Sequence, residues 1–256
     1  MIINEKNIKM WSVIGSRATF GMSILEMAKI EKNFLVLTAD VSTSAGLDRF
    51  KRTFPERYVD VGIAEQNMIG IATGLSSEGH NIFTTTFSPF QTLRCLEQIK
   101  INLGYMQHKI SMVGLASGLV LGTLGFTHCS IEDIGVLRSI PNLNIVCPSD
   151  TLETVKAVQA LLKTKQSTYL RLTGSSNCPI INNNDYEFEI GKAITLREGD
   201  DVIIFSHGVV LAECLKAAEI LKKKNISCKV VNMHTIKPLD KQSVIESKKF
   251  KLVVTV

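Results

Sequence analysis

Short apolar runs recur along the chain, and each is followed by a stretch with helical spacing, which leaves few folds open. Phe34–Leu37, Ile82–Thr85, residues 110–115, 143–147, 168–172, Val202–Phe205, Cys228–Asn232 and Leu252–Val256 read as strands. Between them, residues 9–30 place Phe20, Ile24 and Met27 on one helical face. Met68, Ile71, Ala72 and Leu75 fall at i, i+3, i+4 and i+7. Further helices are expected from Phe87 to Leu103, over 131–139, after Asp150 with Glu153 three residues on as a capping pair, over 210–224 and from Asp240. Strands alternating with helices, without hairpin signals, imply an α/β protein built on a parallel sheet. The turn-forming stretch Thr173–Pro179 through Asn182–Asp185 is the one convincing linker. We therefore expect a first domain over 1–175, a linker over 176–190 and a smaller α/β domain over 191–256, incomplete because its last strand ends the sequence.

Composition narrows the function classes. With 256 residues, 45% hydrophobic and 21% charged, the chain can bury a sizeable core. A net charge of +5 with scattered Lys and Arg does not suggest nucleic acid, and Lys222-Lys223-Lys224 reads as a solvated helix end. Six cysteines show no CxxC or Cys/His metal spacing and are expected to be reduced thiols. No run approaches the roughly 18 apolar residues of a membrane span, and the first residues lack the apolar core of a signal peptide, so a cytoplasmic location without membrane contact is expected.

The stretch Tyr58 to Gly70 carries the most chemistry. It changes from strand-like alternation to helical spacing around Glu65, so a carboxylate sits at a strand-to-helix switch. Negative charge at a helix start is ordinarily worth roughly 0.3–1 kcal/mol, which alone would explain it. Polar residues directly after a buried strand lie at the carboxyl edge of the sheet, where open α/β folds bind ligands. After the first strand that edge is Asp40-Val41-Ser42-Thr43-Ser44.

Gly62-Ile63-Ala64-Glu65-Gln66-Asn67, followed by Gly70 and Gly74, resembles the pyrimidine-domain motif of the transketolase family. The resemblance continues through Phe87-Ser88-Pro89-Phe90, Thr127-His128-Cys129-Ser130-Ile131-Glu132-Asp133, Pro148-Ser149-Asp150 and Ile236-Lys237-Pro238-Leu239-Asp240, in the family's usual order. It implies a pyrimidine-binding domain with part of a C-terminal domain, acting with thiamine diphosphate in transfer of a two-carbon ketol unit between sugars. In that frame Glu65 contacts ring nitrogen N1′ of the aminopyrimidine, and Ile63, Ala64 and Met68 would keep water from it. Phe90 stacks on the same ring with Phe87 in support, since a flat aromatic face orients a ring without adding charge. Asp40 joins them at the cofactor. The resemblance places Arg17 and Ser44 at the distal phosphate of the sugar, where a guanidinium fork with a hydroxyl suits a tetrahedral oxyanion. His128 falls at the histidine that hydrogen-bonds the substrate. Gly70 and Gly74 share one helical face and allow close approach of another helix, which the resemblance puts near a dimer interface.

Three positions depart from the pattern: Ala116 and Leu124 stand where the family has a histidine and an aspartate that read the sugar, and Gly174 replaces a second phosphate-binding arginine. Arg171 is a candidate replacement charge. The substrate is accordingly expected to be a sugar unlike the usual pentose phosphates, or one held partly by another subunit. No motif for the metal that bridges the diphosphate is present, so magnesium and the diphosphate are expected on a separate N-terminal subunit, and the assembly is expected to be a dimer of heterodimers. The alternatives are a deoxyxylulose-phosphate-synthase-like or 2-oxo-acid-dehydrogenase beta-like subunit, or a non-catalytic interaction subunit on the same fold.

Overall fold

The computed structural model describes residues 1–173 and 176–256. The expected boundary at residue 175 and the Gly174 substitution lie outside the described residues. Helix α1 (Glu5–Ala28) is capped by the Asn4 side chain, which accepts the Asn7 N–H, and it is broken at Gly15 (φ 84°, ψ 170°) into two helical halves. The chain continues through β1 (Phe34–Thr38), α2 (Asp48–Thr53), β2 (Tyr58–Asp60), α3 (Glu65–Ser77) and β3 (Asn81–Phe87). Then come α4 (Ser88–Gln91), α5 (Leu96–Ile99), β4 (Ile110–Leu115), α6 (Asp133–Arg138), β5 (Leu143–Val146), α7 (Thr151–Lys163) and β6 (Ser167–Arg171). After the linker follow β7 (Ile194–Arg197), β8 (Val202–Ser206), α8 (Leu211–Lys222), β9 (Cys228–Asn232), β10 (Thr235–Lys237), α9 (Lys241–Glu246) and β11 (Leu252–Thr255).

Strands β1 to β6 form a parallel sheet in the order β5-β6-β4-β3-β1-β2. Both faces are buried: Phe34 and Val36 of β1 enter one apolar cluster with α1 and α7, while Leu37 enters another with Met68, Ile69 and Ala72 of α3. The second sheet runs β11-β8-β9-β7. The sheets are not purely parallel, because β10 adds antiparallel to β5 and β7 antiparallel to β9. Strands of three or four residues are too short to show a period-two pattern, and sequence inspection passes over both.

Strand β10 carries the second unit onto the edge of the first sheet, and two buried carboxylates reinforce the joint. Asp150 caps α7 by accepting the Glu153 N–H, and its other oxygen accepts both backbone N–H groups of Ile181 and Asn182 in the linker. Glu153 accepts from the Tyr186 hydroxyl and from the Asn232 amide of β9. The helix expected from Phe87 to Leu103 is interrupted at Thr92 (φ −110°, ψ −76°) and resumes as α5 and then the π-helical turns of Lys100–Tyr105. The break frees the Arg94 carbonyl, which accepts from the Gln66 side chain of α3.

Candidate active site

Parallel pairing brings the carboxyl ends of β2, β1, β3 and β4 to one edge, and with them the loops that carry Glu65, Asp40 and Ser44, Phe90, and Ala116. Asp60 closes β2 and ties two of these loops together: its Oδ1 accepts the N–H of Asp40 at 3.0 Å and that of Gly62 at 3.1 Å. The chain then enters α3 at Glu65, so the carboxylate stands in the first helical turn as expected, with no side-chain cap on Ala64. Its side chain is only 4% exposed. Met68, one turn on, is fully buried, whereas Ile63, expected to exclude water, is 78% exposed and shields nothing within this chain.

Across from Glu65 lies an aromatic cluster. The Phe87 and Phe90 rings meet edge to face at 6.4 Å, and the His128 ring stands 5.2 Å from Phe90 and 6.1 Å from Phe87. His128 Nδ1 is 3.0 Å from the Thr127 hydroxyl. A residue that sequence inspection missed completes the arrangement. Arg94, turned back by the break after α4, donates from Nη1 to Glu65 Oε1 at 2.8 Å, and its guanidinium lies over the Phe90 ring at 4.0 Å. No local pattern marks it, since its partner is 29 residues away. Cys95 beside it is buried, and burial followed by the Glu65 charge pushes its thiol up to about 12, which makes it an inert packing residue.

A buried polar network fixes the relation between Phe90 and His128. Asp133 Oδ2 accepts from the Ser88 hydroxyl at 3.0 Å, the Tyr169 hydroxyl at 2.8 Å and Arg171 Nε at 2.8 Å. Ser88 begins the short helix that presents Phe90, and Ser130, which Ser88 also contacts, is antiparallel-bridged to Gly118 at the foot of the His128 loop. Arg171 is therefore consumed by Asp133, with side chains 12% and 0% exposed, and is not a free charge for substrate. The network also needs a glycine in β4: a Cβ at Gly114 would lie 2.4 Å from the Tyr169 hydroxyl.

Arg17 and Ser44 are brought near one another by Gly46, whose backbone sits against Arg17 and Ala18; an added Cβ there would come within 3.0 Å of Ala18 Cα. Arg17 follows the Gly15 break, is half-buried, and makes no ion pair among the described residues. Asp40 is exposed with a left-handed backbone (φ 56°), and its carboxylate has no partner among the described residues. Ala116 is fully buried (φ 52°), while Leu124 is 54% exposed on the loop before His128. Among the described residues no disulfide joins any of the six cysteines. Nor, among them, could any group of three or more His, Cys, Asp or Glu hold a metal ion, and no helix is long and apolar enough to cross a membrane.

The donor set suits a flat nitrogen heterocycle: a water-shielded carboxylate to meet a ring nitrogen, aromatic faces for the ring, and a cleft of about 300 Å³ bordered by Phe90, Leu93, Arg94 and Phe126. A buried acid beside apolar walls, without a metal cluster among the described residues, fits the aminopyrimidine end of thiamine diphosphate and leaves its diphosphate unprovided for.

Comparisons with known proteins agree with this arrangement. Residues 12–178 match the transketolase pyrimidine-binding domain, and residues 191–256 match the transketolase C-terminal domain. One of the two subunits of the apulose-4-phosphate transketolase of Phocaeicola vulgatus is 35% identical over 91% of this chain and 75% of its own length. The 6-deoxy-6-sulfo-D-fructose transketolase subunit SqwH of a Clostridium species is 37% identical over 90% of the chain and 71% of its own length. Among solved structures, a split-gene transketolase described as an inactive β4 tetramer superposes with a TM-score of 0.87 at 34% identity, over 95% of this chain and 79% of that one.

Proposed function

The chain belongs to the transketolase family, and from that premise we propose that it is the C-terminal-type subunit of a split transketolase that moves a two-carbon ketol unit between sugars. The observation that carries the reading is the shielded Glu65 carboxylate at the start of α3, facing the Phe87, Phe90 and His128 rings at one sheet edge. When bound, thiamine diphosphate supplies the carbanion chemistry, and the protein sets its orientation and protonation. Glu65 holds the proton shared with N1′ of the aminopyrimidine; Phe90, backed by Phe87, gives the ring its stacking face. His128 reaches over the same aromatic cluster and is placed to hydrogen-bond the sugar. Arg17, without an ion pair of its own among the described residues, and Ser44 form the phosphate end of the substrate site, and Asp40 lines the cofactor side of the same edge.

The diphosphate and its magnesium ion belong on a partner subunit in this proposal, because the chain offers aromatic and carboxylate groups for one end of the cofactor only. Two features favour a second and a third chain at this edge. A Cβ on either Gly70 or Gly74 would meet nothing within 4 Å, so the small-residue face of α3 is uncovered within the chain and free for another helix. Tyr105, Phe126 and Ile63 are 80%, 83% and 78% exposed, an apolar exposure suited to a subunit interface. A dimer of heterodimers accommodates both.

On the substrate side, Ala116 and Leu124 offer no polar group to read hydroxyls, and Arg171 is engaged elsewhere. Split relatives are described as acting on apulose 4-phosphate and on 6-deoxy-6-sulfo-D-fructose, which is in keeping with a donor other than the common pentose phosphates. The test is purification of the tagged chain from its native lysate, native mass spectrometry with and without thiamine diphosphate and magnesium, and then a screen of ketose donors. Cofactor bound only by an assembly with a second chain, and ketol transfer from an uncommon sugar, are the expected results. A complex that binds no thiamine diphosphate overturns the enzyme reading, and brisk turnover of xylulose 5-phosphate with ribose 5-phosphate overturns the substrate reading.

A further inference from the structure

We propose that Arg94 is a built-in stand-in for the cofactor's aminopyrimidine: its guanidinium occupies the Glu65 carboxylate and the Phe90 face until the ring arrives, and then swings out. The inference rests on the reading that this pocket takes thiamine diphosphate, and it goes beyond it by assigning a residue that no motif marks.

The geometry is specific. A guanidinium is flat, donates N–H groups in its own plane and stacks on aromatic faces. An aminopyrimidine contacting Glu65 through a ring edge and Phe90 through its face needs the same two partners. Arg94 holds both at once, at 2.8 Å from Glu65 Oε1 and 4.0 Å from the Phe90 centroid. Flat groups cannot share one stacking face and one acceptor, so ring and guanidinium compete.

The contact also has a reason to exist before the cofactor binds. A carboxylate 4% exposed and left without a partner carries a desolvation cost. Arg94 offsets it and lets the site fold as a closed unit. The same contact is reversible, because the Arg94 side chain is 41% exposed and borders the cleft of about 300 Å³ by Phe90, Leu93 and Phe126. Its anchor is the backbone, through the Gln66 amide on the Arg94 carbonyl, so the side chain can leave without moving the chain. The break in the helix after Phe90 is what turns Arg94 toward Glu65 at all.

The test uses the chain copurified with its diphosphate-binding partner, and calorimetric titration of thiamine diphosphate in excess magnesium. A site populated by its own arginine binds with an affinity reduced by the fraction that is open. Arg94→Ala is expected to lower the Kd by about three- to tenfold, and Arg94→Gln, which keeps a flat hydrogen-bonding group without the charge, by a smaller factor in the same direction. A crystal structure of the cofactor-bound wild-type complex is expected to have the guanidinium off the Phe90 face. Equal or weaker binding by both variants, or a guanidinium still on Glu65 with the ring bound, overturns the inference. Glu65→Ala separates the two levels: if it binds thiamine diphosphate as tightly as the wild type, the pocket reading itself falls.

Discussion

Two arginine–carboxylate pairs in this molecule have the same 2.8 Å contact and different surroundings. Arg171 and Asp133 lie 12% and 0% exposed, and the same Asp133 oxygen also accepts from Ser88 and Tyr169, while its other oxygen is buried with no partner among the described residues. Arg94 and Glu65 pair a half-exposed guanidinium with a shielded acid, and the guanidinium rests otherwise on the ring of Phe90. Distance alone would rank them as equals. Environment makes the first a structural clamp between β6 and the His128 loop and the second a contact that a ligand can replace.

The comparison breaks first at Arg171. Arg171→Ala strands a charge that nothing else can reach, and is expected to cost about 3–5 kcal/mol of stability in urea unfolding, against at most about 1 kcal/mol for Arg94→Ala. Equal losses in the two variants would end the distinction. Glu65→Ala tests the same contrast from the acid side: activity of the assembled enzyme should fall by about 10²–10⁴-fold with the unfolding midpoint nearly unchanged, because Arg94 is left facing solvent. Gly114→Ala pushes a methyl group onto Tyr169 and loosens the Asp133 clamp from within, for an expected loss of about 1–3 kcal/mol.

A third carboxylate sharpens the point. Asp150 is buried like Asp133 yet is held by N–H donors and no cation, and burial, followed by the charge of Glu153, pushes its carboxyl up to about 6. The folded state therefore holds this proton more firmly than the unfolded chain does. Its contribution to stability is full below the ordinary carboxylate range near pH 3.8 and is lost as the pH rises through about 6. His234 works oppositely over much of this range, since burial lowers it to about 4 and its contribution grows as the pH rises toward 6.5. Unfolding midpoints of Asp150→Asn between pH 4 and 6 should accordingly fall less steeply with pH than those of the wild type, the His234 effect being common to both. An unchanged slope would show that the linkage does not come from Asp150. The smallest expected effect is that of Arg94→Ala on folding; its signature belongs in cofactor affinity.

How much of this was legible differs by residue. Glu65 at a helix start, Phe87 and Phe90 after a strand, and the Asp150 cap on α7 are local events, each written within a few positions, and periodicity or motif finds them. The Asp150–Glu153 pair is recognisable as a cap, yet its hold on Ile181, Asn182 and Asn232 is not, because those partners lie 31 to 79 residues away. Arg171 reads in the sequence as a spare charge after a β-rich run; only the fold delivers Asp133 to it.

The sequence by itself determined the alternation of strands and helices, the carboxyl edge that collects the loops, and the acid and aromatic residues assigned to the cofactor, since all of these follow from spacing within one element or one turn. Tertiary structure alone decided that the helix after Phe90 breaks and returns Arg94 to Glu65, that β10 crosses to the first sheet, that Arg171 is spent on Asp133, and that the Gly70 and Gly74 face stays open. Each depends on which groups meet after the sheet has closed. A charge is settled by what surrounds it, and its surroundings come from distant parts of the chain.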